Sequence, residues 1–415
     1  MEGRGMPARA DQRHHDLSGG DPSDGVRTID RYDAQEETPH DGHDGVVQPL
    51  VFRPAARKGR GAVVNVQGRY EVDVRERFDD GWDDASSDGS GADEPVLETT
   101  VTLERAKTIL SRNDSPDIPF RVSLNPYRGC EHGCVYCFAR PTHSYLGLSP
   151  GLDFESRLFA KTNAAELLVQ ELAKPSYVPD TIAVGVNTDA YQPIERDLKI
   201  TRSVLEVLHA ARNPFGLITK SSLIERDLDL LVPLAEHRLA RASITITTLD
   251  HALSRKLEPR AASPARRLRT VRTLVDAGVP VSVNVSPVIP FVTDGEMEHI
   301  VAAAADAGVH SAHFIILRLP WELNDVFQTW LRTHFPMRAE RVMNRIRDLR
   351  GGKDYDARFG KRMTGEGIWA ELFAQRFHAA CARHGLNRAR RHFDVSQFRR
   401  PVPPAKPSAQ QRLFD

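Results

Sequence analysis

Cysteine is scarce in this 415-residue chain, with four in all, and four thiols do not make the disulfide framework of a small secreted fold. No apolar run approaches the roughly 20 residues that a membrane-spanning helix needs, and the polar start lacks the apolar stretch of a signal peptide. The expectation is a cytoplasmic protein with no membrane partner. Net charge is absent too, since 56 Lys and Arg balance 56 Asp and Glu. That zero is an average over two unlike parts. Residues 1–98 hold 22 acids against 12 bases, and the remainder holds 34 acids against 44 bases.

The basic part carries the cysteines, and three of them, Cys130, Cys134 and Cys137, fall within eight residues of the stretch SLNPYRGCEHGCVYCFARPTH, Ser123 to His143. In a reducing compartment such crowding reads as metal-binding or catalytic rather than structural. Three thiolates are one ligand short of a closed zinc or iron-sulfur site, and Cys381 is far away in sequence. Two completions are open. His132 or His143 would make a tetrahedral zinc site, whereas three irons of a four-iron cluster would leave one iron free for another ligand.

Along the chain, residues 1–45 are rich in Asp, Gly, His and Arg without apolar periodicity, and are expected to be a disordered tail. Its His14, His15, His40 and His43 read as solvated. Residues 46–98 read as two short strands or an extended strap around a solvent-exposed Lys58-Gly59-Arg60-Gly61 turn, closed by the acidic Gly/Ser linker DDASSDGSGADE. From 99 to 320, β-branched runs alternate with amphipathic helical segments. Strands are expected at Arg121 to Leu124, Thr181 to Asn187, Gly216 to Thr219, Ala242 to Thr248, Val279 to Val285 and Ala312 to Leu317. Six such alternations predict an α/β fold, a partial six-unit TIM-like barrel with a parallel sheet. Residues 321–400 read as a helical C-terminal extension and 401–415 as a flexible tail.

Chemistry in parallel α/β folds sits at the carboxyl ends of strands. Polar residues gather there: Asn187-Thr188-Asp189, Lys220-Ser221-Ser222, Thr247-Thr248, Asn284 with Ser286, and Arg318. With the cysteine loop after the first strand, they describe one pocket. Near the C-terminus Phe393 and Phe398 lie among bases, a pattern that suits either core aromatics beside a solvated charged face or stacking on nucleic-acid bases.

The spacing Cys130-x3-Cys134-x2-Cys137, with Tyr136 before the last cysteine, is the signature of radical S-adenosylmethionine (radical SAM) enzymes. The string NPYRGCEHGCVYCFARPTHSYLGLSPGLDFE, with NTDAYQPIE and ITKSSLIERDL downstream and KGRG, GRYE and FDDGW upstream, resembles the bacterial group related to spore photoproduct lyase over roughly residues 50–340. The resemblance implies a 4Fe-4S cluster on Cys130, Cys134 and Cys137, with S-adenosylmethionine on the open iron and reductive cleavage to a 5′-deoxyadenosyl radical. It implies an external electron donor such as a flavodoxin or ferredoxin. Tyr136 would pack near the adenine, Thr188 and Lys220 would hold ribose and carboxylate, and Thr247 and Ser286 complete the cofactor-binding set.

That family's lyase returns a hydrogen atom from a cysteine after the second strand, and Val184 to Asp189 has none. Tyr191 is an alternative donor or a wall residue. The expected substrate is DNA or another nucleic acid, against a small metabolite or peptide, or a non-enzymatic nucleic-acid-binding metal protein. The terminal Gln410, Leu413 and Phe414 resemble the short peptide with which bacterial DNA enzymes dock on the replication sliding clamp.

Overall fold

The computed structural model describes residues 56–71, 97–389 and 392–403. The chain divides into two units, Met1–Phe52 and Arg53–Asp415, and the first lies wholly outside the described residues. The tail expected to be disordered, the acidic linker and the clamp-like Gln410, Leu413 and Phe414 lie outside them as well.

Ten strands run in chain order: β1 (Thr100–Glu104), β2 (Leu110–Arg112), β3 (Val122–Leu124), β4 (Tyr127–Arg128), β5 (Arg157–Lys161), β6 (Ile182–Val184), β7 (Phe215–Thr219), β8 (Ala240–Thr245), β9 (Val281–Val288) and β10 (Ser311–Ile316). Seven form one sheet in the order β10-β9-β8-β7-β6-β3-β2. Every neighbouring pair from β3 to β10 is parallel, and β2 joins β3 antiparallel. These six parallel strands are the six read from the sequence, which makes the fold a partial barrel. Their residues read as near-continuous apolar runs because both faces are covered; all three residues of β6 are buried.

Helices Ala164–Ala173, Ile200–Ala211, Leu228–Glu236, Pro264–Asp276 and Met297–Asp306 cover the outer face. Ile200–Ala211 shows why: Ile200, Val204, Leu205, Leu208 and Ala211 recur on one helical stripe and are all buried. Pro264–Asp276 begins with Pro264 in the first turn and the Ser263 side chain accepting from the Arg266 N–H.

The second layer is a small sheet, β1-β5-β4, that the sequence reading did not contain. β1 is exposed along nearly its whole length, so no apolar alternation marks it.

The segment 56–71 contains turns and bends without a strand. It is a strap, and its basic turn is not wholly exposed as expected. Arg60 is buried, donating to the Glu155 carbonyl at 2.7 Å, to Thr99 Oγ1 at 3.0 Å and to the Leu97 carbonyl.

Helices Leu323–His334 and Ala339–Asp348 build a second core around Trp330, which donates from Nε1 to the Lys256 carbonyl at 3.1 Å. Ala62 and Val63 of the strap and Cys134, Val135 and Tyr136 of the cysteine loop belong to this core. Phe398 packs against the main core beside Tyr177, and Arg241 covers Phe393, so both rings already have partners. Among the described residues no helix is long and apolar enough to cross a membrane.

Candidate active site

Cys130, Cys134 and Cys137 lie between β4 and the 3-10 helix Arg140–Leu146, at the carboxyl end of the barrel's first parallel strand. All three are free thiols; Cys130 and Cys134 are buried and Cys137 is partly so. Burial pushes the Cys130 thiol well above its ordinary range, and Asp189 and the other two cysteines push it further. Burial also drives Cys134 up to about 12, against the pull of Lys220. Nearby negative charge raises both of these thiols, so a cationic group beside them favours their thiolates.

Among the described residues, no group of three or more His, Cys, Asp or Glu side chains is placed to hold a single metal ion. The two histidines weighed as a fourth zinc ligand do not complete such a group with the cysteines among the described residues. His143 Nε2 lies 2.9 Å from the Arg157 carbonyl, its ring is edge-on to Phe154, and burial lowers its pKa to about 4. His132 Nδ1 lies 3.3 Å from Asp189. A three-thiol loop of this kind fits a cluster that presents a separate iron to each sulfur.

A clamp of buried charge shapes the loop from behind. Arg140 donates to the Cys134 carbonyl at 2.8 Å, the Gly133 carbonyl at 3.1 Å and the Gly151 carbonyl at 2.7 Å, and pairs with Glu155 at 2.8 Å. Both side chains are fully buried. The Glu155 carboxylate also accepts from the N–H groups of Gly61 and Ala62, each at 2.8 Å. The strap passes so close that a Cβ on Gly61 would sit 1.8 Å from the Gly133 carbonyl oxygen.

The pocket side carries a second set of buried charges. Tyr136 donates to Glu258, and its hydroxyl lies 3.0 Å from Thr247 Oγ1, which donates to the Ser286 carbonyl at 3.0 Å. Glu258 pairs with Arg267 at 2.5 Å, both deeply buried. Burial alone would raise Glu258, yet Arg267 and Lys220 hold it below the ordinary carboxylate range. Lys220 Nζ stands 5.8 Å from the Tyr136 ring centroid. Burial pulls its ammonium down, but Cys134, Glu258 and Asp189 outweigh that and keep it above the usual lysine value.

A third set faces Cys130. Asp189 accepts from Thr219 Oγ1 at 2.6 Å, from the Lys220 N–H at 2.8 Å and from the Tyr191 N–H at 2.9 Å. Although burial pushes it up, His132 and these donors leave it far below the usual carboxylate range.

Of the residues singled out from the sequence, Tyr136, Lys220, Thr247 and the Ser286 carbonyl therefore meet beside Cys134. Thr188 stands apart, with its hydroxyl on the Tyr127 carbonyl at 3.0 Å. Asn284 and Ser286 fall inside β9, which runs on to Val288 rather than ending at Val285. Tyr191 is fully buried and donates to Asp227 at 2.9 Å, while Cys381 sits in the main core. Sequence reading missed Arg140, Glu155, Glu258 and Arg267 as parts of the site. Charged residues default to solvent, and while Arg140 and Glu155 at least follow the cysteine loop in sequence, nothing local marks Glu258 and Arg267.

The match to the radical SAM superfamily model covers residues 124–304. An uncharacterized protein of Mycobacterium tuberculosis is 36% identical over 234 residues, which are 56% of this chain and 68% of that protein. One of Methanocaldococcus jannaschii is 27% identical over 223 residues, 54% of this chain and 79% of that protein. Spore photoproduct lyase complexed with dinucleoside spore photoproduct superposes with a TM-score of 0.49 at 14% identity, covering 69% of this chain and 80% of that one. On the family match and the three-cysteine loop that it spans, this chain belongs to the radical SAM superfamily.

Proposed function

We propose that this radical SAM enzyme holds a 4Fe-4S cluster on Cys130, Cys134 and Cys137 and cleaves S-adenosylmethionine reductively to act on a nucleic acid. The cluster, when bound, supplies the electron and an open iron that generate methionine and a 5′-deoxyadenosyl radical from S-adenosylmethionine. The observation that carries the reading is the convergence of three free thiols on one loop with the Lys220 ammonium beside Cys134.

Lys220, half-buried beside Tyr136, offers a cation to the carboxylate of S-adenosylmethionine. Tyr136, held by Glu258 and Thr247, gives the adenosyl group a wall that does not rotate away. The Glu258–Arg267 pair keeps that wall in place. A flavodoxin or ferredoxin would deliver the electron. The excess of bases after residue 98 supports the nucleic-acid substrate, as do the motif strings around and after the cysteines.

Anaerobically reconstituted protein given dithionite and S-adenosylmethionine should release 5′-deoxyadenosine and methionine, as read by mass spectrometry. No release from protein that carries its full iron complement would sink the proposal. In Lys220→Ala the iron-sulfur absorption should persist while S-adenosylmethionine binds roughly tenfold or more weaker, the scale of a lost charge-assisted contact. Unchanged affinity by calorimetry would remove Lys220 from this role.

A further inference from the structure

On the flank of the cysteine loop lies a cleft of about 410 Å³, within the range of roughly 300–1,000 Å³ typical of small-ligand sites. Neither the three cysteines nor Tyr136, Lys220 or Thr247 line it, so it is distinct from the pocket above. Its polar lining is Arg196, Arg226, Arg260 and Arg266 with Ser221 and Ser222, and no acidic residue faces it. His132 at one wall ties it to the cysteine loop, and the Arg260 N–H donates to the His132 carbonyl at 3.3 Å.

The guanidinium groups are aimed from behind. Arg226 pairs with Glu195 at 2.7 Å and Asp227 at 2.9 Å, Arg260 with Glu131 at 2.8 Å, and Arg266 with both oxygens of Glu225 at 2.6 and 2.7 Å. These pairs temper the local charge and at the same time fix three forks. Arg196 is exposed and has no ion-pair partner among the described residues. Arg226 commits all three nitrogens to Asp227 and Glu195, and Arg266 both terminal nitrogens to Glu225. Arg196 and the remaining N–H groups of Arg260 and Arg266, with two hydroxyl-bearing residues, are therefore the donors offered to a tetrahedral anion, which accepts several N–H groups at once. Pro193 and Leu223 add an apolar flank on which a sugar or base can lie.

From this geometry we infer that the cleft is a binding site for a phosphate group carried by a nucleotide-sized ligand. The inference rests on the nucleic-acid reading above for its link to the radical chemistry, but the site itself is tested without that chemistry. A concave, nucleotide-sized cavity favours such a ligand over the flat acidic face of a partner protein.

The test uses the full chain, a fluorescein-labelled single-stranded 12-mer with a 5′-phosphate, and unlabelled AMP as competitor, read by anisotropy at several salt concentrations. Arg196→Ala and Arg266→Ala should each weaken binding about tenfold and lower the salt slope by about one. The control Arg105→Ala, on an exposed pair with Glu166, should change little. Displacement by AMP identifies a terminal phosphate monoester as the ligand, and loss of the 12-mer without AMP displacement identifies a strand phosphodiester; both support the site. Unchanged affinity in the Arg196→Ala/Arg266→Ala double variant overturns it, as does a poly-glutamate peptide that displaces the 12-mer as well as AMP does. Absence of 5′-deoxyadenosine from wild-type protein would defeat the proposed function while leaving these binding results to decide the cleft.

Discussion

Changing any one of Cys130, Cys134 and Cys137 to alanine should reduce bound iron from about four per chain to near zero, because two thiolates hold a cluster poorly and no other metal-ligating group is assembled among the described residues. His143 is committed to the Arg157 carbonyl and His132 faces Asp189. The buried surroundings of Cys130 and Cys134 also leave little room for water as a replacement ligand. Iron and sulfide determination with visible absorption of the anaerobically reconstituted protein is the measurement. Cys381→Ala, made in the main core, should lose some stability and keep its iron. Full iron retention in all three loop variants would refute the assignment.

The second large effect lies behind the loop. Glu155→Gln should destabilise the protein by about 3–5 kcal/mol, the range for removing one member of a buried ion pair. The amide keeps the shape, but it removes the charge opposite Arg140 and places an N–H₂ where an acceptor must meet Gly61 or Ala62. Denaturant unfolding of the iron-free protein reads the loss directly. Gly61→Ala reaches the same joint from the other side, since both atoms it would strike first belong to the Gly133 backbone and cannot swing clear. If Glu155→Gln melts within a degree of the wild type, the clamp contributes nothing that counts.

The six parallel strands were legible because both of their faces are covered, which forces β-branched, apolar runs that end in polar residues. The cysteine triad was legible because spacing alone carries it. β1 and β5 were not, since they pair with each other over a shared register, Thr100 with Arg157 through Glu104 with Lys161, and that register leaves β1 largely solvated. Buried charge was harder still: nothing in the residue type separates Glu258, fully enclosed with Arg267, from Glu166, which pairs with Arg105 at the surface. The strand ends did identify Asp189, Lys220 and Thr247, because topology places those ends together whatever their side chains do.

The strap bears on the order in which the molecule is put together. Its bonds to Glu155 link residues 93 to 95 positions apart, and contacts of such separation close late, after the chain has met the entropic cost of a long loop. Until then the side of the cysteine loop that Gly61 later abuts stands open. Metal delivery therefore has a natural window during biogenesis, before the strap seals the loop, and mature apo-protein should load iron more slowly than a chain still completing its fold.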